Sequence, residues 1–167
     1  DSAAGATAFS IGKKTYNGAI GVDMDTNAVT TITEQLSNQG WSTGYISTSS
    51  ITHATPASFY AHVSNRIMQE EIAKQLVYSN VDFFAGGGYR WFMNRSDSID
   101  YSDTLLNRGF FLDTNSIDTN PDTKAARLAY LLAPDGLQPK HLGRDDFLIK
   151  ATEKGIDFLD SKEKPFF

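Results

Sequence analysis

Four side chains in this sequence could do chemistry together: Ser2, His53, Thr55 and Arg66. Ser2 opens the Ala-rich run "SAAGATAFS", and a hydroxyl at a helix N-terminus faces unpaired N–H groups and the positive end of the dipole, where an anion is stabilised. Arg66 could then offer a planar fork to two phosphoryl oxygens. A serine stays protonated at neutral pH, so attack needs a base or a metal to take the proton. The chain has three His, no Gly-x-Ser-x-Gly elbow and no His-Glu-x-x-His helix, which favours a metal as activator. Structural roles stand beside this reading: Ser2 as a helix N-cap, Thr55 before Pro56 as an ordinary helix entry, Arg66 as a solvated helix residue and His53 as a loop histidine.

Two other patterns mimic sites. Asp23, Asp25, Asn27 and Glu34 fall at positions 1, 3, 5 and 12 of a calcium-hand loop. Ala28 stands where that loop needs Gly, and Glu34 is better explained by helix capping. Gly86-Gly87-Gly88 lacks the Lys-Ser/Thr of a phosphate loop and the spacing of a dinucleotide loop, so it reads as a tight strand exit.

The elements that must position these residues alternate. Asn17-Gly18 suits a turn with positive φ. Thr31-Ile32-Thr33-Glu34 fits a capping box, and Gly40 a helix stop. Trp41 to Ser49 reads as a strand. Pro56 suits the first turn of a helix running through Phe59, His62 and Arg66, and Met68, Ile72 and Leu76 form a further apolar stripe. Val81 to Ala85 and Arg127 to Ala133 read as buried strands. A short helix around Leu105 and Leu106 and a loop-rich stretch from Asp113 to Asp122 lie between them. In the last helix Leu148, Thr152, Gly155, Ile156 and Leu159 form one apolar stripe, and "KPFF" begins a further strand. Strands separated by helices in this order imply an α/β sheet with helices on its faces.

Composition narrows the partners. The net charge is −5, with no run of like charges, which disfavours nucleic acid and anionic membrane. No stretch approaches the roughly 20 apolar residues of a membrane span. The absence of Cys excludes a disulfide frame and any thiolate metal site. At 167 residues the length suits a single folding unit.

"DSAAGATAFSIGKKTYNGAIGVD" resembles the nucleophile segment of the alkaline phosphatases, and "ITHATPASFYAHVSNR" resembles a later segment of that family, with Thr eleven positions ahead of Arg. "FFAGGGYRWF", "LAYLLAPDG" and "EKPFF" also resemble family segments, in the expected order. The resemblance implies a three-layer α/β/α sandwich with an incomplete sheet, residues 1–167 being one central fragment of a larger catalytic domain that begins just ahead of the nucleophile. It implies phosphate monoester hydrolysis through a phosphoserine on Ser2, with Arg66 holding phosphate and Asp1 helping to hold Arg66. Thr55 matches a magnesium ligand. His53 falls at the third-metal site or just behind it, where family members carry Asp or His, and the Ser2 oxygen faces zinc.

Two zinc ions and one magnesium are implied for the intact parent, with most ligands outside this segment, so the isolated chain is expected to be metal-free and inactive. The family also implies a homodimer that is periplasmic or secreted, acting on phosphate monoesters and binding inorganic phosphate. Two rivals remain: a related metal-dependent hydrolase of diesters, phosphonates or sulfates, whose usual nucleophile is Thr or a modified Cys, and a binding module without catalysis.

Overall fold

The computed structural model describes residues 1–121 and 124–167. In chain order the elements are α1 (Ser2–Ile11), α2 (Ile32–Asn38), β1 (Gly44–Ser50), α3 (Ala54–Ala57), α4 (Gln69–Tyr78), β2 (Phe83–Gly87), α5 (Arg90–Met93), α6 (Ser102–Asn107), β3 (Phe110–Asp113), β4 (Arg127–Leu131) and α7 (Phe147–Asp160). The strands form one parallel sheet in the order β1-β2-β4-β3. Side chains alternate across it. Phe84, Ala129 and Leu131 pack with Ile72, Leu76, Phe92 and Leu105 on one face, while Phe83, Ala85, Leu128 and Tyr130 pack with Phe147, Ala151 and Leu159 on the other. Helices therefore cover both faces, giving the expected three layers, and this is why β2 and β4 are near-continuous apolar runs. Each large side chain buried this way contributes about 1.5–3 kcal/mol.

Several expected elements shift. The strand expected over Trp41 to Ser49 is Gly44–Ser50, because Ser42 instead bridges to Phe166. That parallel bridge places Pro165 to Phe167 beside residues 42–44 as an isolated bridge, where a strand start is expected. The strand β2 runs on through Gly86 and Gly87 rather than stopping before them. A Cβ at Gly87 would sit 1.9 Å from the Asp135 carbonyl, so glycine lets the turn after β4 cross the strand. The strand expected over Arg127 to Ala133 ends at Leu131. The strand β3 was not anticipated: "FFLD" is too short for its alternation to show. Of the loop-rich stretch that follows, Asp122 lies outside the described residues.

The expected helix from Pro56 to Arg66 is replaced by one turn, α3, and an extended segment. Ile20 and Val63 exchange both backbone hydrogen bonds, at 3.1 and 3.0 Å, and the Arg66 N–H donates to the Gly18 carbonyl at 2.8 Å. Val63 and Arg66 thus bond to a neighbouring loop while the His62 backbone bonds to the Gln75 side chain of α4, which removes the reason to coil.

The stripe expected on α7 holds at Gly155 and Leu159 but is displaced by one position at Leu148, Thr152 and Ile156. Phe147, Ala151, Gly155 and Leu159 are buried, whereas Leu148 and Ile156 are 47% and 50% exposed. Gly155 sits against the Phe83 ring, and this close approach selects the face. Leu159→Ala should therefore cost about 2–5 kcal/mol in urea denaturation, while Leu148→Ala should stay within about 0.5 kcal/mol of wild type; equal losses would refute the orientation.

Candidate active site

The first turn of α1 carries the serine. Asp1, not Ser2, is the N-cap: its carboxylate accepts from the Ala4 N–H at 2.9 Å, leaving Ser2 as the first helical residue with its hydroxyl exposed. The helix is anchored by buried hydroxyls. The Thr7 hydroxyl lies 3.1 Å from the Ala19 carbonyl and 3.1 Å from the Ser58 hydroxyl, and accepts from the Gly21 N–H at 3.1 Å. The Ser10 hydroxyl donates to the Ser58 carbonyl. Thus α1 is tied both to α3 and to the loop that holds the Arg66 segment.

These restraints bring Ser2, Arg66 and His53 together. Arg66 Nη1 donates to Ser2 Oγ at 2.7 Å, and Nη2 lies 3.0 Å from His53 Nε2. A guanidinium only donates, so His53 must accept through Nε2 and is neutral, with its proton on Nδ1. Burial, and then the Arg66 charge, hold the His53 pKa below the ordinary imidazole value. Arg66 makes no ion pair among the described residues, like Arg108, Arg127 and Arg144 and unlike Arg90, which pairs with Asp135, and Arg95, which pairs with Asp97. Both of its partners are neutral. An anion placed between Ser2 and Arg66 would thus gain a charge-assisted fork without displacing a carboxylate.

Asp1 is expected to help hold Arg66. Its carboxylate caps α1, and no bond from it to Arg66 occurs among the described residues. Thr55 is exposed on α3 and lines an open cleft with His53, Ser47 and Ser49 along β1. Asp23 accepts from the Asp25 and Asn27 N–H groups at 3.0 and 2.9 Å, closing its own turn. Both Glu34 oxygens are engaged elsewhere, by the Thr31 N–H and by His62. The sequence reading missed His62, whose only signal was its place four residues ahead of Arg66.

The metal donors present are partial. Among the described residues no three His, Cys, Asp or Glu side chains come together. Ser2, His53 and Thr55 could contribute to a cation's coordination only alongside donors that these residues do not supply.

The site thus sits on a parallel sheet covered on both faces, where a serine at a helix start meets an arginine that makes no ion pair among the described residues. The family model for alkaline phosphatase matches residues 1–167, and the chain belongs to that family. It is 33% identical to alkaline phosphatase 4 of Bacillus subtilis strain 168 over all of its own length and 37% of that protein. The solved alkaline phosphatase of the Antarctic bacterium TAB5 superposes with a TM-score of 0.94 at 46% identity, covering 100% of this chain and 49% of that one. A histidine-to-aspartate variant of the TAB5 enzyme is described with Mg bound in its M3 site. The chain therefore spans half or less of the length of these relatives.

Replacing Arg66 with Met should raise the His53 pKa, since the cation is removed, but not fully to the ordinary value, since burial remains. A pH titration of the ring by NMR checks this, and an unmoved His53 would show that the contact is not formed.

Proposed function

We propose that a protein of the relatives' length containing this segment hydrolyses phosphate monoesters through a phosphoserine on Ser2. The observation that carries this reading is Arg66, held 2.7 Å from the Ser2 hydroxyl and without an acidic partner among the described residues. Phosphate would take two oxygens to the guanidinium, with the phosphorus toward Ser2 Oγ. The Ser2 oxygen then forms a bond to phosphorus as the ester P–O bond breaks in line, and the departing oxygen takes up a proton. Water attacks the phosphoserine in the second half, restoring the Ser2 hydroxyl and releasing inorganic phosphate. Arg66 steadies charge on the equatorial oxygens in both halves, and a fixed donor of this kind stabilises the transition state without reorganising.

The metal assignments belong to the same proposal. Two zinc ions and one magnesium, when bound, would supply the Lewis acidity that makes Ser2 nucleophilic and stabilises the leaving oxygen. On this segment Ser2 would face zinc, Thr55 would serve magnesium, and His53 would stand at the third cation or behind it. The magnesium described for the TAB5 variant and the family membership support this reading. Export to the periplasm or medium and a homodimeric assembly rest on the family alone; no helix among the described residues is long and apolar enough to cross a membrane.

Ser2→Ala in such a protein, assayed with zinc, magnesium and a chromogenic phosphate monoester at alkaline pH, should fall to background turnover and form no phosphoserine by mass spectrometry. Wild-type activity that survives the substitution would sink the reading. The 167-residue chain alone, with both metals added, should show no turnover above background, because its donor set is partial; an ordinary enzymatic rate would contradict that.

A further inference from the structure

The ring of His62 is set between two acceptors. Nδ1 lies 2.7 Å from the Gly21 carbonyl and Nε2 lies 2.9 Å from a Glu34 carboxylate oxygen. Neither oxygen carries a proton to give, so each ring nitrogen must donate, and only the imidazolium can do both. Its backbone is bracketed as well: the His62 N–H donates to the Gln75 side-chain carbonyl at 2.7 Å, and the Gln75 amide donates back to the His62 carbonyl at 3.2 Å. From this point the chain runs along the 18–21 loop through the Ile20–Val63 pair to Arg66, whose N–H closes on Gly18.

We propose that His62 is a positioning residue for Arg66: as an imidazolium clamped between Gly21 and Glu34 it fixes the 62–66 segment on the 18–21 loop, and losing its proton loosens the phosphate-holding arginine. This rests on the phosphatase reading of the Ser2 and Arg66 site. Deprotonation leaves one nitrogen lone pair facing an oxygen lone pair, and the bond to Glu34 is the one lost if Nδ1 keeps its proton for Gly21. The other groups facing the clamp do not replace that charge. Tyr45 of β1 is kept protonated by burial, and Glu71 of α4 accepts from the Gln75 amide.

The shifts agree in direction. The Glu34 hydrogen bond, against the cost of burial and helped by Gly21, raises the His62 pKa above the ordinary value. Burial alone would raise the Glu34 pKa, but the bonds from His62 and Thr31 together bring it below the ordinary carboxylate value. A raised folded-state pKa contributes stability that is complete below the unfolded value and is lost as pH rises through the folded one. A lowered carboxylate pKa contributes stability that is lost as pH falls through its folded value. The clamp is thus strongest between the acid range and the raised His62 value, and opens on the alkaline side.

Two measurements test this. Nitrogen-15 NMR of the His62 ring should show both nitrogens protonated until the pH passes above the ordinary imidazole range. A neutral ring at pH 6, or one protonated nitrogen throughout, would overturn the proposal even if no variant folded. In a protein of the relatives' length, inhibition by inorganic phosphate should be roughly tenfold or more weaker in His62→Gln than in wild type below the His62 pKa, a scale set by small misplacements of a positioning group. The ratio should shrink toward one above that pH. Glu34→Gln, which keeps an acceptor but not the charge, should move the crossover to lower pH. A constant ratio at every pH would reduce His62 to a structural residue. Wild type without phosphatase activity would remove the site reading and this proposal together, whereas active wild type with unaltered variants removes only the proposal.

Discussion

The site depends on the approach of the 18–21 loop to the segment that carries Arg66. At Gly21 the backbone has φ +59°, and a Cβ there would stand 2.1 Å from the Ala61 carbonyl. Because that position is glycine, its N–H can reach the Thr7 hydroxyl of α1 while its carbonyl reaches the His62 ring. One residue therefore joins the helix that presents Ser2 to the segment that presents Arg66. Any side chain there would wedge the two apart, and a displacement of about 1 Å between reacting groups can cost on the order of a hundredfold in rate. The serine and arginine are 64 positions apart in the chain, so their distance is set by this short set of contacts and not by any single element.

The sheet supplies the rigidity behind that contact. His53 follows the C-terminal end of β1, and β1 is held against β2, whose Phe83 and Phe84 are both fully buried, one on each face. With helices on both sides, neither face of β2 can slide without opening packed apolar surface. The hydroxyls of Thr7, Ser10 and Ser58 are buried as well, and each is hydrogen-bonded, so they tie α1 to α3 directionally where an apolar contact would allow drift.

Much of this was legible from residue types, and the failures have physical causes. The capping box at Thr31 and Glu34 is present as spaced, and Gly18 has the positive φ that Asn-Gly implied, because both are decided within four residues. On α7, Gly155 and Leu159 are buried as expected, whereas Leu148 and Ile156 mislead because they are as apolar as the residues that are buried; the fit of Gly155 to Phe83 is a tertiary fact. The helix read through His62 and Arg66 failed for the same reason, since its backbone partners, Gly18 and Ile20, lie more than forty positions earlier. Of the site, Ser2, His53 and Arg66 do meet, Asp1 makes no bond to Arg66 among the described residues, and His62 carried no pattern that would distinguish it from a helix histidine.

The charge balance explains how such a site can wait without collapsing. Arg66 is only partly buried and makes no ion pair among the described residues, which is equally true of Arg108, Arg127 and Arg144. Its charge is moderated by two neutral acceptors, the Ser2 oxygen and the His53 nitrogen, which orient the guanidinium without neutralising it. A carboxylate in either place would bind Arg66 more strongly. The nearby acid, Asp1, is instead committed to the Ala4 N–H. It thereby stabilises the helix start that carries Ser2.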